Sequence, residues 1–268
     1  MDAALPRVNS RMAFAGTILF RVRSWRRILR FAGVATAALL SPSTYQQQTR
    51  EFAVRQIYYT AWEILPGYLL FSGLLSLVLI EIVLTAARKY GLSQYSLELV
   101  LRVLVLEVLP LLTALFVALR SGAAIGAEIA LMTVKGEIQE SAEAGESPLH
   151  RELVPRIAGA ALSVVSLTTQ SCALATWLAY LAMYGFSAVG EDEFSVVIAH
   201  VFGPQILIGF VLKCLLFGMV VALIPVATGL EAERNDLSSA PNAVLGGLVK
   251  LFFVIGVIQI LSLVAKYI

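Results

Sequence analysis

Five apolar stretches, each about as long as a bilayer is thick, dominate this chain: residues 62–87, 97–119, 157–184, 201–227 and 243–265. About 20 largely apolar residues in a helix cross the hydrocarbon core. A helix also satisfies its own backbone polar groups, which hydrocarbon requires. The stretches therefore predict an all-α polytopic membrane protein with about five transmembrane helices over 62–265. Composition agrees: 59% of residues are hydrophobic, 14% are charged, and mean hydropathy is +0.83. Soluble domains carry about 25% charged residues. There is no polar segment long enough for a soluble domain and no repeat of 20–50 residues. Residues 1–268 thus read as one membrane domain.

Before the first span the chain is basic. Nine of its twenty basic residues, all arginines, precede position 60, opposed there only by Asp2 and Glu51. The apolar run 31–40 is too short to cross a bilayer. With Arg26-Arg27 before it, it loosely matches an export signal. Basic residues and a second apolar patch at 12–20 precede it, however, and no small-residue cleavage site follows. Residues 1–60 are therefore expected to form a basic interfacial region, with one or two amphipathic helices over 11–40 lying in the membrane surface. The arm leads directly into spans, so an anionic membrane is its partner and nucleic acid is not. The Lys/Arg distribution sets orientation. With the N-terminus cytoplasmic, inside segments 1–61, 120–156 and 228–242 hold fourteen basic residues. The outside segments hold only Arg88, Lys89 and Lys266, and the outer connection 185–200 is an acidic loop around Glu191-Asp192-Glu193.

Catalytic signatures are missing. There is no G-x-x-x-x-G-K-[ST], G-x-S-x-G, H-E-x-x-H or Cys-x-x-Cys. Cys172 and Cys214 lie in apolar runs without metal-ligand spacing, and His150 and His200 are far apart. No catalytic residue, metal site or cofactor is assigned to this chain, which reads as a non-enzyme.

Charges inside the spans are the remaining chemistry, since a charge at the bilayer centre costs about 2.5–3.5 kcal/mol on insertion scales and tends to face a bundle interior or a polar cavity. Glu98 and Arg102 are four apart and can pair along one helix face. Glu107 has no partner at that spacing, and it precedes Pro110, which removes a helix hydrogen bond. Lys213 stands alone on its span. Glu107, Val108, Lys213 and Arg102 are the candidates for an intramembrane polar path; a buried structural salt bridge between Glu107 and Lys213 is the equal alternative. Glu81 and Lys250 lie nearer span ends, within snorkelling reach of the interface.

After the second span the sequence turns small. Gly122 and Gly126, with Ala118 and Ala130, form a face at four-residue spacing that lets helix backbones approach, so residues 119–132 are expected to continue the second span as a close-packing surface. Next comes a polar stretch, Lys135-Gly136-Glu137-Ile138-Gln139-Glu140-Ser141, ahead of Gly145. A short cytoplasmic helix over 134–146 is expected there, shaped to dock a soluble partner through Lys135, Gly136, Glu137, Ile138, Glu140 and Ser141.

These residues resemble a family. Glu107, Pro110 and Leu112-Thr113-Ala114-Leu115 lead to Arg120, Gly122, Ala124, Ala127-Glu128 and Met132. Val134, Ile138, Gly145, Pro148-Leu149 and Val154-Pro155-Arg156 follow, then Leu212-Lys213, Phe217-Gly218, Ala222-Leu223 and Gly229-Leu230. Their order and spacing are similar to the MlaE (YrbE-type) permeases, the membrane subunits of MCE-associated ABC lipid transporters. The resemblance covers about residues 55–268. It departs at Leu106, where the family has Arg, and near Gln259, where the last span carries an acidic residue.

The resemblance implies a homodimer in the bacterial inner membrane whose short cytoplasmic helix docks an ABC ATPase subunit. ATP and Mg would be held by that partner. Lipid, of the phospholipid class, would pass to or from a periplasmic MCE-domain protein, and a small cytoplasmic regulatory subunit is a further partner. Two rival readings come from other classes: an ion-coupled secondary carrier using Glu107 and Lys213, and a membrane scaffold that transports nothing.

Overall fold

The computed structural model describes residues 25–38, 65–144, 149, 153–187 and 190–267. The expected interfacial region falls within these residues only at 25–38, and the rest of 1–61 lies outside them. Among the described residues eight helices follow one another: α1 (25–38), α2 (Leu65–Lys89), α3 (Ser93–Lys135), α4 (Glu137–Glu143), α5 (Val154–Tyr184), α6 (Glu191–Val201), α7 (Pro204–Gly229) and α8 (Ser239–Tyr267). No strand occurs among the described residues. Helices α2, α3, α5, α7 and α8 are long and apolar enough to cross a membrane.

Prolines begin three of these helices. Pro66, Pro155 and Pro204 stand in first turns, where the missing N–H has no intrahelical acceptor to lose. The first and third spans thus start close to where hydropathy places them. The second runs on past 119, as its small face predicts, and reaches Lys135. Helix α3 continues for 43 residues, about 65 Å at 1.5 Å per residue. Its small inner half stays packed, and nothing breaks it before Gly136, whose φ of +83° is open to glycine and poor for other residues. The short helix expected over 134–146 is accordingly narrower. Lys135 belongs to α3, Gly136 is the break, and α4 begins at Glu137.

A second correction concerns the outer connection. The acidic sequence expected to be a loop opens a helix, α6. Glu191, Asp192 and Glu193 fill its first turn, where negative charge complements the helix dipole.

Helix α7 is the centre of the bundle. It packs along α5 on one side and α8 on the other, and against the inner half of α3; α2 lies on α5. Phe217, Val221 and Val226 of α7 are fully buried. Helix α1 presses Ile28 and Ala35 into the inner part of this core. Helix α4 and the turn between α7 and α8 lie at one end of the bundle. Helix α6, which touches the start of α3, lies at the other.

Candidate functional site

Helix α3 loses its regular form at two places, and the first builds a site. From Leu101 to Val108 its turns are π-helical. Pro110 has no N–H to give the carbonyl of Leu106, four residues back. That carbonyl instead accepts a hydrogen bond from Lys213 Nζ at 3.3 Å. The neighbouring carbonyl of Val105 accepts from Cys172 Sγ at 3.3 Å. The proline thus frees an acceptor, and a lysine of α7 takes it.

The same lysine meets Glu107. Lys213 Nζ donates to Glu107 Oε2 at 2.5 Å, and Lys213 is only 3% exposed. Lys266 Nζ, from the far end of α8, donates to the other oxygen, Oε1, at 3.1 Å. Gln259 Nε2 also donates to Oε2, at 3.0 Å, while its own Oε1 is buried without a hydrogen-bond partner among the described residues. One carboxylate is therefore held by three donors from two helices. Charge-assisted bonds of this kind are the strong ones, and a buried charge requires such partners.

Beside this cluster lies a cavity of about 450 Å³ between α3, α7 and α8. Ile206, Phe210, Leu216, Ile258 and Leu261 form apolar wall, while Glu107, Lys213 and Lys266 bring charge to it, with Gln205 and Ser262 as neutral polar groups. The arrangement suits an amphiphile: greasy wall beside a charged patch. A second cavity of about 510 Å³ lies between α3, α5, α6 and α7, lined by Trp177, Tyr180, Phe194 and Phe202. Phe210 borders both.

The other proposed polar-path residues lie elsewhere. Arg102 Nε donates to Glu98 at 2.7 Å, with His200 Nε2 3.6 Å from the same carboxylate. Neither Arg102 nor Val108 lines the first cavity; Val108 packs in the outer core cluster. Lys250 does not snorkel alone but bonds Glu231 at 3.0 Å, and Glu231 also faces Arg27 at 3.5 Å.

Toward the end of the bundle that carries α4, called the inner end here, the small face meets α7. Cβ atoms placed on Gly122 and Gly126 would lie 3.3 and 3.5 Å from Pro225, and Ala130 is fully buried. Asn235 N–H, in the turn after α7, caps the carbonyl of Val134 at 2.9 Å near the end of α3. Helix α4 then turns Ile138 inward and leaves Glu137, Gln139 and Glu140 exposed. Lys135 Nζ stands 3.5 Å from Glu137, and Ser141 Oγ donates to the Glu137 carbonyl at 2.9 Å.

Against known proteins, the family model described as Permease MlaE matches residues 53–265. The chain belongs to the MlaE permease family. No curated protein matches it. Membership makes it a membrane transport subunit rather than an enzyme, of the kind that works with ABC transporter partners. In this MlaE permease the pattern read from sequence brings Glu107 and Lys213 together. It also joins Glu128 to Arg156, at 2.6 Å.

Sequence reading missed Lys266, treated only as an outer tip residue, and gave Gln259 no partner. The signal was present: 259 and 266 are seven apart, two turns along one helix face. What periodicity could not supply is that this face turns toward Glu107.

Proposed function

We propose that this MlaE permease is the membrane subunit of an ABC transporter that moves lipid, of the phospholipid class, between the bacterial inner membrane and a periplasmic MCE-domain protein. ATP is hydrolysed on a separate subunit. The observation that carries the reading is the cavity between α3, α7 and α8, apolar on its walls and charged beside Glu107, in a chain of this family. A lipid presents the same two chemistries. Two further features support the assembly. Leu245, Val249, Phe253, Val257, Ile260 and Val264 make an exposed apolar stripe along α8, next to the cavity. A second copy of the chain packing there would close the cavity between two permeases. Helix α4 is anchored through Ile138 and offers an acidic outer face, which suits a basic groove on an ATPase, with the N-terminus and α4 on the cytoplasmic side.

The test is purification of the full chain from its native membrane after crosslinking. An ABC ATPase and an MCE-domain protein are expected among the retained chains. Absence of any ATPase overturns the reading. Glu137→Lys with Glu140→Lys should abolish ATPase retention while membrane insertion stays normal; full retention removes the docking role from α4.

A further inference from the structure

The second cavity, of about 510 Å³ between α3, α5, α6 and α7, differs in kind from the charged one. Among the described residues no charged side chain lines it. Its hydroxyl and thiol groups are spent within the protein. Thr169 Oγ1 donates to the carbonyl of Val165 at 2.9 Å, and Thr176 Oγ1 to that of Cys172 at 2.8 Å. Tyr180 Oη donates to the carbonyl of Ser187 at 2.6 Å, and Cys172 Sγ to that of Val105 at 3.3 Å. A buried water needs about two to four polar partners, and these groups have no proton left to give it. The lining presents chiefly apolar and aromatic surface. Its shape shows where an occupant enters. Thr169, Ala173 and Trp177 recur every four residues along α5 and are exposed, Trp177 by 56%. On a helix of spanning length such a row faces hydrocarbon. Val105 and Cys172, both buried, make the floor. Phe194, Ile198 and Phe202 of α6 roof it. The roof is pinned to α5 by rings: Tyr180 and Phe194 stand edge to face with centroids 5.0 Å apart. Among the described residues Phe210 alone lines both cavities, so it partitions this apolar space from the charged one.

We propose that the second cavity is an acyl-chain site. One hydrocarbon chain of a bilayer phospholipid enters over the row of Thr169, Ala173 and Trp177 and lies on Val105 and Cys172 beneath α6. The volume falls within the range of ligand sites, about 300–1,000 Å³. Packing supplies the driving force. An empty apolar space forfeits the dispersion contacts of its lining, and hydrocarbon is the solvent at hand. The headgroup stays outside, so the site takes a chain whatever charge the lipid carries. The site goes beyond the transport reading: it needs a bilayer and not an ATPase.

The experiment uses the full-length chain in phosphatidylcholine vesicles doped with a phosphatidylcholine that carries a diazirine near the end of one acyl chain. After irradiation, adducts are mapped by mass spectrometry. Val78 and Ile82, exposed on α2, report contact with bulk lipid. Adducts are expected on Cys172 and Val105 as well, although both are buried. Ala173→Trp fills the opening from a position that is already exposed. Labelling of Cys172 and Val105 should then fall at least about tenfold, because indole and chain compete for one close-packed volume. Labelling of Val78 and Ile82 should not change. Ala173→Ser leaves the opening free and should label like the parent. Adducts on Val78, Ile82 and Trp177 with none on Cys172 or Val105 overturn the site and make this face of α5 ordinary boundary surface. Undiminished adducts on Cys172 and Val105 in Ala173→Trp overturn the route of entry. A loss in Ala173→Ser equal to that in Ala173→Trp overturns the site too, since volume would not decide occupancy. Failure of the chain to retain an ATPase sinks the transport reading and leaves each of these outcomes as it stands.

Discussion

Helices α3, α7 and α8 meet at two levels, and the two meetings use opposite materials. At the inner level the contacts are small. Gly122 and Gly126 lie against Pro225, and a Cβ on Gly229 would stand 2.8 Å from the carbonyl oxygen of Gly126 and 2.9 Å from Cβ of Ile129. One on Gly247 would run into Thr228. At the outer level the same helices splay around a cavity of about 450 Å³ and bridge it with Lys213, Lys266, Gln259 and Glu107. Between membrane helices no hydrophobic drive is available, so association rests on close packing and on polar bonds. This bundle separates the two by depth. Close packing makes a rigid inner level; polar bonds hold an outer level that keeps room for a ligand.

The largest expected effect breaks the inner level. Gly229→Val places bulk against a backbone carbonyl, which cannot rotate away as a side chain can. Overpacking of this kind costs about 1–3 kcal/mol or more, and here it separates α3 from α7. The variant should lose its monodisperse peak in size-exclusion chromatography and melt well below the parent. Gly126→Ala is the matched control, since its Cβ would lie at an ordinary 3.5 Å from Pro225. A Gly229→Val chain as stable as the control would show that the inner level is not close-packed in the sense argued.

Next in size is Lys213. Removing one partner of a buried pair leaves the other charge poorly compensated, at a cost of about 3–5 kcal/mol when no other partner remains. Lys266 and Gln259 remain on Glu107, so the loss should fall below that range. Lys213→Ala should nevertheless reduce lipid transfer at least about tenfold, the factor for 1.4 kcal/mol of lost interaction. Lys250→Ala removes a pair at the inner end, where Arg27 still faces Glu231, and should change transfer less than twofold by the same scale. Equal effects of the two substitutions would make the outer cluster purely structural. The comparison sharpens with Glu107→Leu combined with Lys213→Met. Replacing both ends of a buried pair by apolar groups is often neutral for stability. The melting temperature should recover relative to Lys213→Ala, and transfer should not.

The two levels were unequally legible in the sequence. The inner one could be read directly: Gly122, Gly126 and Ala130 share a face by spacing alone. Its close backbone approach at Gly229 was visible only as a family-pattern residue, because a backbone-to-backbone distance between helices has no local signature. In the outer level Glu107, Pro110 and Lys213 each announced themselves as costly residues in apolar runs. Their meeting depends on how α7 is rotated against α3, which no single-helix period encodes. Lys266 was hidden for another reason. A lysine at a span end fits the interface so well that nothing in the sequence asks for a second explanation. The continuation of α3 past 119 was legible in the small face at 118–130, although hydropathy falls there; its last residues, 133–135, were assigned to the next helix instead. Helix α6 was missed because its acidic start looks like a solvated loop, although three carboxylates in a first turn also suit a helix.

The smallest expected effect concerns Glu98, which lies on the outer half of α3 but off the cavity. Its carboxylate pairs with Arg102 at 2.7 Å along one helix face, and the two side chains are 29% and 27% exposed. Pairs with such access to their surroundings contribute about 0–1 kcal/mol. Unlike Glu107, Glu98 closes no gap between α3 and α8, and no freed backbone carbonyl depends on its partner. Glu98→Gln keeps the shape and an acceptor for Arg102 and removes only the charge. The melting temperature should therefore move by a degree or two at most, and lipid transfer should stay at the parental level. A loss comparable to that of Lys213→Ala would mean that the outer cluster extends along α3 beyond the cavity. The division by depth would then be a division between faces of α3, with Glu98, Arg102 and His200 belonging to the polar one.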